Sequence, residues 1–142
     1  IGHYSGYKTH VTCEYFYELV SENDLPRLHE VYLFALQNNL PFLIIGGGTN
    51  LLFSEKHFPG VVIKNSLSGY MYDSDKKLLK SYSNESIWDI ASALEEKYSE
   101  NIWHRFIGLP GSIGGAVFGN AGCFGLETES NFVQAMIYDM NK

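Results

Sequence analysis

The chain is poor in several things, and each shortage removes a class of function. Its two cysteines, Cys13 and Cys123, are too few for a disulfide framework and point to a reducing, cytoplasmic compartment. No apolar run approaches the ~20 residues a membrane-spanning helix needs, so no membrane association is expected. Lys and Arg number 10 against 16 Asp and Glu, a net charge of −6, and the basic residues form no cluster. That composition argues against nucleic acid as a partner. It leaves a dinucleotide open, because backbone N–H groups and helix dipoles suffice for one pyrophosphate. His3, His10, His29 and His57 lack metal-ligand spacing, so no metal is expected. No signal peptide is visible, but Ile1 is not an initiator Met, which leaves a removed leader open.

What is present reads as globular: 45% of residues are hydrophobic and 18% charged. Glu14 to Leu19 alternates as a strand. Ser21 to Asp24 offers helix caps, and Leu25, Leu28, Tyr32, Ala35 and Leu36 share a helical face that ends near Asn38-Asn39. Leu40 to Ile45 reads as a buried parallel strand that runs into Gly46-Gly47-Gly48, and Gly60 to Lys64 as another strand. This order suggests a small α/β lobe. Ser66 to Lys77 is polar and marks a lobe boundary. Leu78 to Tyr82 is a further strand. Ile87, Ile90, Ala91, Leu94 and Tyr98 form a helical face behind a cap at Asn84 or Ser86. A glycine-rich stretch runs from Gly108 to Gly125, and Phe132 to Met140 reads as a last strand. Trp88 and Trp103 are expected to anchor the core.

Two motifs carry chemistry. Gly46-Gly47-Gly48-Thr49-Asn50-Leu51-Leu52 follows a strand, at the carboxyl end where α/β sheets bind ligands. Its glycines permit positive φ and let N–H groups converge on an anion, while Thr49 and Asn50 add a hydroxyl and an amide. Leu51 stands where a Rossmann fingerprint needs its third glycine, and no Lys-Ser/Thr completes a P-loop. The turn is therefore either a phosphate cradle or a device of chain geometry. The second motif is Gly108-Leu109-Pro110-Gly111-Ser112-Ile113-Gly114-Gly115-Ala116, continuing through Asn120-Ala121-Gly122 to Glu127. So few side chains suit a flat ligand, with Ser112 and Asn120 as polar contacts, or else a glycine-rich corner of an antiparallel sheet.

Together, "GGGTNLL" and "GLPGSIGGAVFGNAGCFGLE" resemble the UDP-N-acetylenolpyruvoylglucosamine reductase family, the UDP-N-acetylmuramate dehydrogenases of peptidoglycan synthesis. The resemblance runs from about Tyr4 to Lys142. It implies an α/β (α+β) fold: a two-lobed FAD-binding fold of the vanillyl-alcohol-oxidase type. The first lobe would be residues 1–68 and the second, incomplete, 69–142, with no substrate-binding domain in this chain. It also implies FAD between the lobes. Gly46, Gly47, Gly48, Thr49, Asn50 and Leu51 would hold the pyrophosphate. Pro110, Gly111, Ser112, Gly114, Gly115, Asn120, Ala121 and Gly122 would line the flavin and its phosphates.

The implied activity is that of an oxidoreductase in which NADPH reduces the flavin and a UDP-sugar enolpyruvate is the substrate. The family's Tyr-Arg pair, catalytic Ser and late Glu are expected beyond Lys142, so no catalytic residue is assigned here and the chain alone is expected to be inactive. Two local departures stand out. His10-Val11 follows Thr9 where the family has an Ile-Gly-Gly-like element, and Ser81-Tyr82-Ser83-Asn84 replaces a Gly-Ala-Gly turn, setting a bulky Tyr at an expected flavin contact. His104 and Arg105 read as surface or half-buried residues, and Cys123 as a small residue packed beside the flavin loop rather than a covalent flavin link. A non-catalytic flavin- or nucleotide-binding module and another oxidoreductase of the same flavin fold are the rival readings. The oligomeric state is not legible.

Overall fold

The computed structural model describes residues 1–141. They divide into two compact units, one formed by Ile1–Leu67 with the segment from Gln134 onward, the other by Ser68–Val133.

The first unit is built on a parallel sheet. Strands β1 (Thr12–Leu19), β2 (Phe42–Ile45) and β3 (His57–Asn65) lie in the order β1-β3-β2. Helix α1 (Leu25–Gln37) links β1 to β2. A 3-10 turn at Glu22–Asp24, closed by a reciprocal Ser21–Asp24 capping box, leads into the helix, and Pro26 sits in its first turn where no N–H is needed. It stops at Asn38, and Asn39 takes the left-handed φ of 52° that a helix exit favours. Val61, Ile63 and Leu19 project toward α1 and bury against Leu28 and Ala35. The alternate face of the sheet carries Phe16, Val62 and Lys64, and the Tyr4 ring stacks on Phe16 with centroids 5.6 Å apart.

The second unit begins with a hairpin of β4 (Tyr70–Asp73) and β5 (Leu78–Ser81). Helix α2 (Ile87–Tyr98) follows, capped by the Ser86 hydroxyl accepting from Asp89 N at 3.2 Å. Helix α3 (Ile113–Gly119) and a small hairpin of β6 (Gly122–Cys123) and β7 (Leu126–Glu127) complete it. Its core is Ile87, Ala91, Phe106 and Ala116, with Trp103, Leu109, Ile113 and Leu126 packed around them.

Several sequence expectations are corrected. The polar stretch from Ser66 contains β4, a strand short enough to hide in that composition. The glycine-rich stretch contains α3, a helix that glycine propensity argues against. Phe132 to Met140 is no strand among the described residues, because a β-prone sequence needs a partner backbone and none pairs with it. Instead Tyr138 Oη donates to Leu25 O at 3.1 Å and Met140 packs on the α1 core. Strand β2 lies at a sheet edge, so Ile44 is exposed rather than buried. Leu36 and Trp88 each sit about 100° round the helix from a buried neighbour, Ala35 and Ile87, and both are exposed.

Candidate functional site

The first motif begins where β2 ends. Ile45 is buried and pairs with Lys64 of β3, so Gly46 leaves the sheet at the carboxyl end of its strands. The turn that follows is held by its own chain. Gly48 O accepts from Leu51 N at 3.1 Å and from Gly6 N at 2.9 Å. The buried Ser5 hydroxyl donates to Leu51 O at 2.6 Å and accepts from Tyr7 N at 3.2 Å. Gly48 has φ +69°, and a Cβ there would lie 1.6 Å from Tyr4 O. The opening segment Tyr4 to Tyr7 thus clasps the turn and fixes its path.

Within that fixed path, the N–H groups of Gly47, Gly48, Thr49 and Asn50 donate to no acceptor among the described residues. Gly47, Thr49 and Asn50 are exposed, and neither the Thr49 hydroxyl nor the Asn50 amide has a partner among the described residues. Consecutive unpaired N–H groups on a turn of fixed shape are the kind of donor set that suits an anion. These residues fit the pyrophosphate of FAD: the donors are free, and the turn is ordered without help from a ligand.

The second motif is arranged differently. Ser112 is 6% exposed and its Oγ accepts from Gly115 N at 3.3 Å, capping α3. Ile113 N donates to Glu85 O at 2.8 Å, Gly114 N to Ser83 O at 2.7 Å, and Ala116 N to Ser112 O at 2.8 Å. The N–H groups from Ile113 to Ala116 are all committed, so this helix start offers no donor to a phosphate. Gly114 is glycine because a Cβ would meet Ser83 Cβ at 2.8 Å and Ser83 O at 2.9 Å. Gly115 and Gly119 are exposed and leave a bare surface; a Cβ on Gly119 would meet nothing within 4 Å. Pro110 is exposed beside Gly111, which has φ 143°.

Asn120 ends α3 in the left-handed region with φ 44°. Its Nδ2 donates to Glu127 Oε2 at 3.0 Å and its Oδ1 accepts from Glu129 N at 3.0 Å. The amide therefore ties both β7 and the turn that follows it, Thr128–Asn131, to the end of the helix. Ala121 O accepts from Thr128 N and Oγ1 at 3.0 and 2.8 Å, and Gly122 pairs with Glu127. His104 Nδ1 lies 2.7 Å from Glu95 Oε2, and Arg105 donates to Phe124 O at 2.9 Å; both are surface contacts.

Two residues beside the first motif escaped the sequence analysis. Ser5 had no signal beyond its type. Lys64 had one: a single charge closing the apolar run Val61-Val62-Ile63. It is 9% exposed, and burial pushes its ammonium pKa down while Glu18 partly opposes the shift. Among the described residues no group of three or more His, Cys, Asp or Glu is placed to hold a metal, and no helix is long and apolar enough to cross a membrane.

Comparison with known proteins completes the picture. The chain is 32% identical over 139 residues to a UDP-N-acetylenolpyruvoylglucosamine reductase of Chlamydia muridarum, covering 98% of this chain and 45% of that protein. It is 33% identical over 134 residues to the protein of the same name from Protochlamydia amoebophila, covering 89% and 40%. A Fusobacterium nucleatum reductase is 28% identical over 116 residues, covering 82% and 41%. The chain thus spans under half the length of these relatives. A family model described as FAD binding domain matches residues 20–139, a span that takes in both glycine motifs, and the chain belongs to that family.

Proposed function

We propose that this chain is the FAD-binding part of a UDP-N-acetylenolpyruvoylglucosamine reductase, with the turn from Gly46 to Leu52 as its pyrophosphate site. The observation that carries the reading is the set of N–H groups at Gly47, Gly48, Thr49 and Asn50 with no acceptor among the described residues. They would donate to pyrophosphate oxygens, with the Thr49 hydroxyl and Asn50 amide beside them. The clasp by Tyr4 to Tyr7 spares the turn any reordering when the ligand arrives, which favours affinity.

In the second unit, Pro110, Gly111, Ser112, Gly114, Gly115, Asn120, Ala121 and Gly122 form the proposed flavin side. Here the committed N–H groups favour shape over anion binding. Gly115 would offer a flat surface, while Ser112, Gly114 and Asn120 would hold that surface in place. The two units would be the lobes of a vanillyl-alcohol-oxidase-type fold, approximately residues 1–68 and 69–142, the second incomplete in this chain and the substrate domain outside it. FAD, when bound, supplies hydride transfer from NADPH to the enolpyruvyl double bond of the UDP-sugar. The setting would be cytoplasmic peptidoglycan synthesis.

The test is a visible spectrum and FAD titration of the purified full-length protein, followed by NADPH oxidation with UDP-N-acetylglucosamine enolpyruvate. Flavin absorption with substrate-dependent oxidation is expected. A protein that takes up no FAD overturns the reading.

A further inference from the structure

We propose that Lys64 is the cation of the dinucleotide site, its ammonium set behind the Gly46–Asn50 turn to balance the negative charge of the pyrophosphate. The inference rests on the FAD reading above and names a residue which that reading does not use.

Placement comes first. Lys64 is the penultimate residue of β3, the central strand, at the carboxyl end of the sheet. It pairs with Ile45, the residue before Gly46. Ligands of parallel α/β sheets bind at this end.

Direction comes second. Val61 and Ile63 point into the α1 core, so Lys64 by alternation points to the opposite face. There Lys64 Nζ lies 5.8 Å from the centroid of the Tyr4 ring, and Nζ donates to Asn65 O at 2.7 Å. Tyr4 is the residue whose carbonyl packs where Gly48 would carry a Cβ. Tyr4 therefore touches both elements: its ring faces the Lys64 ammonium and its carbonyl packs on Gly48 of the turn.

Burial comes third. A lysine only 9% exposed holds an ammonium in a poorly solvated place, an expense that a surface position would avoid. The neighbouring Glu18 carboxylate also accepts from Ser66 Oγ at 2.5 Å. A buried charge acts over a longer distance than an exposed one, because solvent and salt screen it less. The turn itself offers only neutral dipoles. A fixed charge behind them adds the one thing it lacks, and in a chain of net charge −6 that charge offsets the repulsion an anionic ligand would meet.

The experiment uses the full-length protein and three variants, Lys64→Met, Lys64→Gln and Lys64→Arg. FAD and riboflavin are titrated separately, and the apo-proteins are melted. Lys64→Met and Lys64→Gln are expected to weaken FAD binding about 10- to 100-fold, the range for a partly buried unit charge several ångströms from an anion. Lys64→Arg should retain most of the affinity. Riboflavin, which has no phosphate, should bind wild type and variants alike. Apo melting temperatures should hold or rise, since an uncharged side chain at a buried position is often as stable or more so.

Wild-type FAD affinity in Lys64→Met overturns the inference and leaves the FAD reading intact. A Gln variant that binds as wild type while Met does not assigns Lys64 to the Asn65 bond instead of to charge, and also overturns it. Equal losses for FAD and riboflavin do the same. Failure of the wild-type protein to bind FAD removes the FAD reading and this inference together.

Discussion

The carbonyl oxygen of Tyr4 occupies the place where Gly48 would carry a side chain, 1.6 Å from the position of a Cβ. The glycine is therefore demanded by the chain itself, before any ligand is considered. Its φ of +69° adds a second demand.

Gly48→Val is accordingly expected to unfold before it fails to bind. A non-glycine residue in this conformation, pressed on another backbone, costs about 2–4 kcal/mol. Apo-protein melting should fall by several degrees. Gly47→Val should behave in the opposite way, since Gly47 is exposed, its φ is not positive and its N–H is free. There the apo melt should hold while FAD binding weakens about tenfold or more. An unchanged apo melt in Gly48→Val would contradict the clasp.

Asn120→Leu separates loop structure from ligand contact. The substitution removes the bonds to Glu127 and Glu129 and puts a branched side chain at φ 44°. A loss of about 2 kcal/mol in apo stability is expected. Asn120→Gly should lose less, because glycine accepts the backbone conformation. If apo melts are equal and only FAD affinity falls, the amide faces the ligand and not the hairpin.

The Lys77–Glu100 ion pair gives a pH signature in the second unit. The hydrogen bond from Lys77 holds the Glu100 carboxyl below the ordinary range, and Glu100 raises the Lys77 ammonium in turn. Stability from a depressed carboxyl is whole above its unfolded titration range and is lost as pH falls through the folded one. Stability from a raised ammonium is whole below its unfolded range and is lost as pH rises through the folded one. Urea midpoints of wild type and Glu100→Gln should therefore differ near neutral pH and converge in acid. A gap that persists at low pH would show that the pair contributes no linkage.

How much was legible in the sequence follows from the physics of each element. Helix α2 was legible because its apolar spacing and its Ser86 cap agree. The turn after β2 was legible because an apolar run met three glycines. Helix α3 was hidden, since Gly114, Gly115 and Gly119 all argue against a helix. What forms it is tertiary: Ser83 and Glu85 take its first N–H groups, and only glycine fits against Ser83. The strand expected near the end of the chain failed for a related reason, because alternation in a sequence cannot supply a partner. Of the candidate site, the glycine-rich motifs were legible but not the hydrogen bonds that commit or free their N–H groups. The second motif looked as open to an anion as the first, and only its hydrogen bonds tell them apart.

The clasp on the turn also dictates an order of assembly. Ser5 and Leu51 are separated by 46 residues, so their bond closes a long loop. Such closures cost entropy before any contact rewards them. Gly48 has no fixed place until β2 has paired with β3, so the opening segment has nothing to grip until the sheet is in register. In refolding, FAD uptake should lag behind recovery of the far-ultraviolet sheet signal, and simultaneous recovery would argue against this order. On this view the chain becomes a receptor only at the end of its own folding.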